Sequence, residues 1–273
     1  MPLTLNVIGA GKVGRVLGRL FAASGGFTVQ DVLTRSHASA ADAVHFMGAG
    51  HTVGAIGDMR AADAWMLAVS DDQIEPACQA LAAGPLRAGA VVFHCSGAKS
   101  SAALDAAARA GALTASLHPI RSFADPAQVA QHFGGTYCGI EGDAAALAIL
   151  GAALDGIGGR AVPIDAAAKT VYHAASVFAS NYLVTVLDAA LRAYQAAGIS
   201  EEVARQLAAP LASETLVNVM RLGPEAALTG PIARGDTATV ARQQAALDAW
   251  DGPTGELYRA LATATTALAA RRD

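Results

Sequence analysis

Gly9-Ala10-Gly11-Lys12-Val13-Gly14 is the stretch of this chain whose residue types and spacing bear most directly on chemistry. Three glycines at G-x-G-x-x-G spacing let the backbone turn tightly at Gly9 and admit a diphosphate against the bare Cα of Gly11. They also bring a following helix close at Gly14. The apolar run Leu3-Thr4-Leu5-Asn6-Val7-Ile8 precedes the turn, and Arg15 to Phe21 follows it with apolar residues at helical intervals. A strand, a glycine turn and a helix in that order aim the helix's free N–H groups and positive end at an anion. The spacing predicts a dinucleotide site in which Gly9, Gly11, Lys12, Val13 and Gly14 meet the cofactor. Lys12 either reaches the phosphates or points into solvent. A turn used only for packing would leave the full set of glycines unexplained.

The next residues with chemical content follow the second apolar run, Phe27 to Leu33. Asp31 stands twenty residues after Gly11, the usual offset of the acid that binds the ribose hydroxyls of NAD. The run continues through Val32 and Leu33, however, so the strand tip is Thr34-Arg35-Ser36. An arginine fork flanked by two hydroxyls suits the 2′-phosphate of NADP. NADP is therefore expected in preference to NAD, and a flavin, which would also want an acid at this tip, is disfavoured. The alternative is a solvated Arg35 beside a helix-capping Ser36.

Further polar clusters follow later strands: Ser70-Asp71-Asp72, Ser96-Gly97-Ala98 and His118-Pro119-Ile120-Arg121-Ser122. Loops at the carboxyl ends of parallel strands form the ligand crevice. Ser70, Ser96 and His118 are accordingly expected beside the nicotinamide or the substrate. His94 lies inside a strand and reads as structural. In the second half, Lys169, His173, Ser176 and Ser180 share one helix face by their spacing, with Asn181 beside it. Lysine and histidine are suitable acid–base groups for a carbonyl or imine reduction, in which a proton must meet the hydride's electrons on the heteroatom. A solvent-exposed polar face is the other reading. The Tyr-x-x-x-Lys scheme fails, because Tyr172 has Ser176 at that offset.

The elements that must position these residues divide in two. Apolar runs alternate with helical segments up to Ile164, as expected of βαβ units and a doubly wound, largely parallel sheet. From Asp165 onward strand periodicity stops and helices follow. The expected organisation is an α/β dinucleotide-binding Rossmann domain over 1–164 and an all-helical substrate or dimerisation domain over 165–273. With 273 residues, 53% of them hydrophobic, a net charge of −4 and a mean hydropathy of +0.36, the chain has ample material for such cores. Scattered Lys and Arg give no footprint for nucleic acid or an anionic membrane. No uninterrupted apolar run approaches the roughly 20 residues of a spanning helix. Cys78, Cys95 and Cys138 show no metal spacing, so no metal is expected, and an odd, sparse cysteine count suits a reducing cytoplasm.

The ordering of domains resembles the 6-phosphogluconate-dehydrogenase-like superfamily, to which ketopantoate reductase, pyrroline-5-carboxylate reductase and 3-hydroxyisobutyrate dehydrogenase belong. A closer resemblance is to Rossmann-like proteins with a C-terminal DUF2520 domain. It is carried by Ser116-Leu117-His118-Pro119, by Lys169 to Asn181, and by Leu228-Thr229-Gly230-Pro231-Ile232-Ala233-Arg234-Gly235-Asp236. The resemblance implies a homodimer and a catalytic lysine early in the first helix of the second domain, which Lys169 matches. The family's asparagine one turn later is replaced by His173, and Asn181 is too distant to be its equivalent. Arg234 and Asp236 would line the site or a dimer contact. The chemistry expected is reduction of a small, carboxylate-bearing carbonyl or imine, ketopantoate-like first and pyrroline-5-carboxylate-like second. A protein that binds NADP without turnover, as a redox sensor or scaffold, is the competing class.

Overall fold

Strands β4 (Ala64–Leu67) and β5 (Val91–His94), and β1 (Leu3–Ile8) from Leu5 onward, are short, mostly apolar and buried on both faces, as a central parallel sheet requires. The computed structural model describes residues 2–271. Its sheet has eight strands in the order β3-β2-β1-β4-β5-β6-β7-β8, with β2 at Phe27–Leu33, β3 at His51–Thr52, β6 at Leu113–Pro119, β7 at Tyr137–Gly142 and β8 at Arg160–Pro163. The first six follow the dinucleotide-binding order 3-2-1-4-5-6, which reverses between β1 and β4 and so opens a crevice there. Alternating side chains feed two cores. Leu5, Val7, Met66 and Phe93 pack toward α1 (Lys12–Ala23) and α6 (Ala144–Gly156). Ile8, Trp65, Leu67 and Val92 pack on the other face, with α3 (Ile74–Ala82) and α4 (Asp105–Arg109). The helix α2 (His37–Met47) lies between β2 and β3 in the chain.

The expected parallel sheet has one antiparallel step, between β6 and β7, with His118 opposite Gly139 and Ser116 opposite Glu141. The connection over 120–136 holds only the short helix α5 (Pro126–Gln131) and does not recross the sheet. It therefore leaves β7 starting where β6 stops. This keeps Arg121 and Phe123 at the edge where the crevice opens. His118 and Pro119, expected just beyond a strand, belong to β6 itself.

By compactness the chain divides into Met1–Ser180 and Asn181–Asp273. The expected break near residue 164 marks the end of the sheet, but the helix after it, α7 (Lys169–Val177), goes with the first unit. A π-helical turn at Phe178–Tyr182 joins α7 to α8 (Leu183–Ala196). In the second unit α8 packs on α9 (Glu201–Leu222), the short α10 (Pro224–Ala227) follows, and α11 (Thr237–Trp250) packs on α12 (Gly252–Ala269). Pro210, expected at a helix end or kink, sits inside α9, where it cannot donate the usual bond one turn back. Ser200 caps α9 by accepting from the Val203 amide. Arg192 ties α8 to the start of α12 through Asp251 at 3.0 Å and Thr254 at 2.9 Å.

The polar stripe on α7 is not solvent-exposed. Lys169 is buried and Tyr172, His173 and Ser176 are half-buried, while Val171 is 75% exposed. The helical run Ala166–Ala196 is long and apolar enough to cross a membrane by length and composition, with a mean hydropathy of 1.4 in its most apolar window. That departs from the sequence expectation, because interspersed Ser and His do not offset its Ala, Val and Leu.

Candidate functional site

The carboxyl ends of β1, β4, β5 and β6 open onto a cavity of about 380 Å³. Gly11, Lys12 and Val13 form one wall, and Ala68 to Asp71, after β4, form the next. Cys95, Ser96 and Gly97 line it from the end of β5, His118 and Pro119 from β6, Arg121 and Phe123 from the connection that follows, and His173 from α7. All of these residues lie in the first compact unit.

The three glycines of the first turn have different reasons to be glycine. Gly9 has φ +83°, and a Cβ there would lie 2.7 Å from the Ala68 carbonyl. A Cβ on Gly14 would lie 2.6 Å from the Gly9 carbonyl oxygen. Gly11 has φ −66°, and a Cβ there would meet no protein atom within 4 Å. Packing thus requires the first and third glycines and places no demand on the second, whose missing side chain leaves room on the cavity wall. No side chain caps α1. Its first amides and the open face of Gly11 fit a diphosphate.

At the tip of β2, Thr34 Oγ1 donates to the Ser36 carbonyl at 2.9 Å, and Ser36 caps α2 by accepting from the Ser39 amide at 3.2 Å. Arg35 is exposed and makes no hydrogen bond or ion pair among the described residues. Asp31 is held elsewhere. Its carboxylate, 3% exposed, accepts from the Arg60 guanidinium at 2.6 Å and the Arg60 amide at 2.7 Å. Burial alone would raise this carboxyl, but the Arg60 hydrogen bonds and charge hold it below the ordinary aspartate value. Lys12 Nζ donates to the Ala124 carbonyl at 3.0 Å and so links α1 to the connection after β6.

The cavity floor is built by β5, β6 and α7 together. His94 is fully buried, and both ring nitrogens are engaged: Nδ1 accepts from the Ser96 amide and Nε2 donates to the Ser100 carbonyl. That is the structural role its strand position predicts. Ser96 Oγ accepts from the amides of Ala98 and Lys99 and so shapes the turn. Lys169, expected to face the substrate, instead lies behind this turn. Its Nζ donates to the Ser96 carbonyl at 3.0 Å and to Ser116 Oγ, with Glu141 Oε1 at 4.0 Å. Burial lowers the lysine's pKa and the Glu141 charge works against that fall. Glu141 is buried too and accepts from the amide and hydroxyl of Ser101, each at 2.7 Å. Removing one partner of such a buried pair usually costs about 3–5 kcal/mol. Lys169 is thus a strut under the pocket, whereas His118 and His173 enter it.

Those two rings meet edge to face, centroids 5.5 Å apart, and both face Gly97. His173 Nδ1 is buried without a hydrogen-bond partner. His118 Nδ1 lies 2.8 Å from Tyr172 Oη. Burial, reinforced by the neighbouring His173 and Lys169, pushes His118 down to about 4, so its imidazole is neutral at pH 7. Burial pushes the Tyr172 phenol up to about 12. Two imidazoles that border one cavity can hold and polarise a ligand heteroatom.

The remaining expected residues lie elsewhere in the chain. Ser70 lines the cavity just before a single 3₁₀ turn. Asn181 falls in the π-helical turn and opens the second unit. Asp236 caps α11 by accepting from the Thr239 amide at 3.0 Å, and Arg234 is exposed on the one-turn 3₁₀ helix before it. Sequence reasoning gave no role to Gly97, Phe123 or Glu141, and considered Tyr172 only for a motif it does not complete. Tyr172 and His173 are adjacent in the quoted helix, which was the available signal for the first of these contacts.

Residues 1–119 match the model of a Rossmann-like domain and residues 136–265 that of a domain of unknown function, DUF2520. Among solved structures the chain is similar to protein TM1727 from Thermotoga maritima, with 26% identity, a TM-score of 0.74, and coverage of 98% of this chain and 99% of that one. It is similar to BF3122 from Bacteroides fragilis, described as an NADP oxidoreductase, with 21% identity, a TM-score of 0.79 and coverage of 97% and 98%. It is also similar to the reductive aminase from Aspergillus terreus in complex with NADPH and ethyl-5-oxohexanoate, with 17% identity, a TM-score of 0.63 and coverage of 99% and 93%. No curated protein matches it.

Proposed function

We propose that this chain, which belongs to the proteins joining a Rossmann-like domain to a DUF2520 domain, is an NADP-dependent reductase of a small, carboxylate-bearing carbonyl or imine. The observation that carries the reading is the open face of Gly11 on the same cavity that His118 and His173 enter. A diphosphate would rest on the Gly9–Gly14 turn, with Arg35, Ser36 and Thr34 at the 2′-phosphate and Ser70 and Ser96 beside the nicotinamide. When bound, the cofactor supplies a hydride to the carbonyl or imine carbon. The chain's own groups do the rest. His118 and His173 hold the heteroatom, and the proton it gains as the carbon gains the hydride comes from His173, which is reprotonated from solvent. Lys169 positions the Ser96–Gly97 turn from beneath, and the apolar Phe123 and Val69 limit water. A ketopantoate-like acid is the leading substrate class and a pyrroline-5-carboxylate-like imine the next.

Arg35→Ala tests the cofactor half. A charge-assisted contact to a phosphate is worth roughly 1.5–3 kcal/mol, so NADPH affinity should fall roughly 10- to 100-fold and NADH affinity should stay unchanged. Equal losses for both cofactors would refute the phosphate role. NADPH binding with no turnover across a panel of 2-oxo acids and imines would favour the sensor or scaffold reading.

The working form is proposed to be a homodimer in the cytoplasm. In the second unit, Val184 on α8 and Leu211, Val217 and Met220 on α9 are each more than half exposed. Apolar surface of this kind on neighbouring helices suits a self-complementary contact with a second copy. Sedimentation equilibrium of detergent-free protein should give twice the chain mass. A stable monomer, or protein recovered only in detergent, would contradict it.

A further inference from the structure

Tyr172 contacts the site but has no part in the reaction just described. Its hydroxyl lies 2.8 Å from His118 Nδ1, with the two rings edge to face at 5.6 Å. The phenol oxygen also accepts from the Gly139 amide, which leaves its own proton for Nδ1. Half-buried O–H groups are rarely left without an acceptor, so the phenol proton points at Nδ1. A neutral imidazole carries a single N–H, and with Nδ1 accepting, that proton sits on Nε2. The ring's charge state agrees, because burial and the neighbouring His173 and Lys169 keep His118 neutral at pH 7. The Nε2–Cε1 edge faces Gly97, where a Cβ would stand 2.8 Å from both atoms. His173 Nδ1, buried and unpartnered, faces the same residue. Gly97 is packed so closely against both rings that only a residue without a side chain fits, and His118, His173 and Gly97 all border the cavity.

We propose that Tyr172 is a positioning residue that fixes His118 as the Nε2–H tautomer, so that His118 offers the cavity a hydrogen-bond donor, which takes a carbonyl oxygen in preference to an iminium N–H. The opposite tautomer would present a lone pair there and reverse the preference. The substrate half rests on the reductase reading, narrowing it to ketones and keto acids. The tautomer half stands on geometry alone.

The experiment uses the full chain with ¹⁵N-labelled histidine. Long-range ¹H–¹⁵N correlation at pH 7.5 reports each ring's tautomer, with His118→Asn used to assign the signals. Wild-type His118 should be protonated at Nε2. Tyr172→Phe, folded as judged by unchanged NADPH affinity, should populate the Nδ1–H form. Pyruvate should shift the His118 Nε2–H signal, and 1-pyrroline, added at about pH 5.5 where it is an iminium and His118 is still neutral, should not. If reduction is observed, Tyr172→Phe should lower kcat for a ketone roughly 10- to 100-fold, less than the roughly 10²- to 10⁴-fold of an acid–base group itself, because the ring stays in place. A wild-type His118 protonated at Nδ1 would overturn the proposal even if Tyr172→Phe proved unstable. So would a response to 1-pyrroline but not to pyruvate. The predicted tautomer and pyruvate response in a protein that oxidises NADPH with neither probe would support the donor role of His118 and count against the reductase reading alone.

Discussion

Replacing His118 with alanine is expected to slow reduction by roughly 10²- to 10⁴-fold, the usual contribution of a positioned acid–base group, with little change in NADPH affinity. The separation follows from where the ring sits. His118 reaches the cavity from the end of β6, across from the glycine turn, and its other nitrogen is held by Tyr172. On the proposed reading its loss removes a contact to the substrate heteroatom, and it leaves Gly9 to Gly14 intact. The pH dependence has a definite sign. His118 is held down to about 4, so the neutral form prevails at every pH above that. The His118-dependent rate should be level across neutral pH and fall only as acid protonates the ring near that value. A rate that rises below neutrality, or an alanine variant with full turnover and weakened NADPH binding, would remove His118 from the chemistry.

Gly11→Val should abolish cofactor binding without harming the fold, with a loss of about 100-fold or more in affinity, since the side chain would occupy the path of the diphosphate. A valine here has an ordinary φ of −66° and no protein atom within 4 Å of its Cβ, so the folded state bears no strain at that atom. Trading glycine for a residue with fewer unfolded conformations leaves stability level or slightly raised. The neighbouring glycines behave oppositely. A Cβ at Gly9 or Gly14 strikes backbone at 2.7 or 2.6 Å, so Gly9→Ala and Gly14→Ala should destabilise the domain first and weaken binding as a consequence. Thermal unfolding alongside NADPH titration separates the two classes. A Gly11→Val protein that binds NADPH normally would leave the cavity without its assigned ligand.

Much of this arrangement is legible in the chain because the signals are local. The strand, glycine turn and helix over residues 3–23 are contiguous, and so is the continuation of β2 past Asp31 to Leu33. Helical spacing also found the polar face of Lys169, His173 and Ser176. It could not say what covers that face. The partners of Lys169 are Ser96, Ser116 and Glu141, on three different stretches of chain, and only the antiparallel pairing of β6 with β7 brings the last two side by side. The same pairing sets Gly139 opposite His118, and a Cβ at Gly139 would crowd the Tyr172 ring. A periodic pattern assigns a side to a helix, whereas burial of a charge depends on long-range partners that no window of sequence contains. Gly97 is a further instance. Ser-Gly reads as ordinary turn chemistry until two imidazoles from β6 and α7 are found against it.

The measurement that tests the central claim most directly is a calorimetric titration of the purified chain with NADPH and, in parallel, with NADH. Clearly tighter binding of NADPH is predicted, through the open face of Gly11 and the exposed guanidinium of Arg35. Preference for NADH would overturn the phosphate role of Arg35. Binding of neither would contradict the account as a whole, because the glycine turn, the cavity and the paired imidazoles would then lack the cofactor that gives them a common purpose.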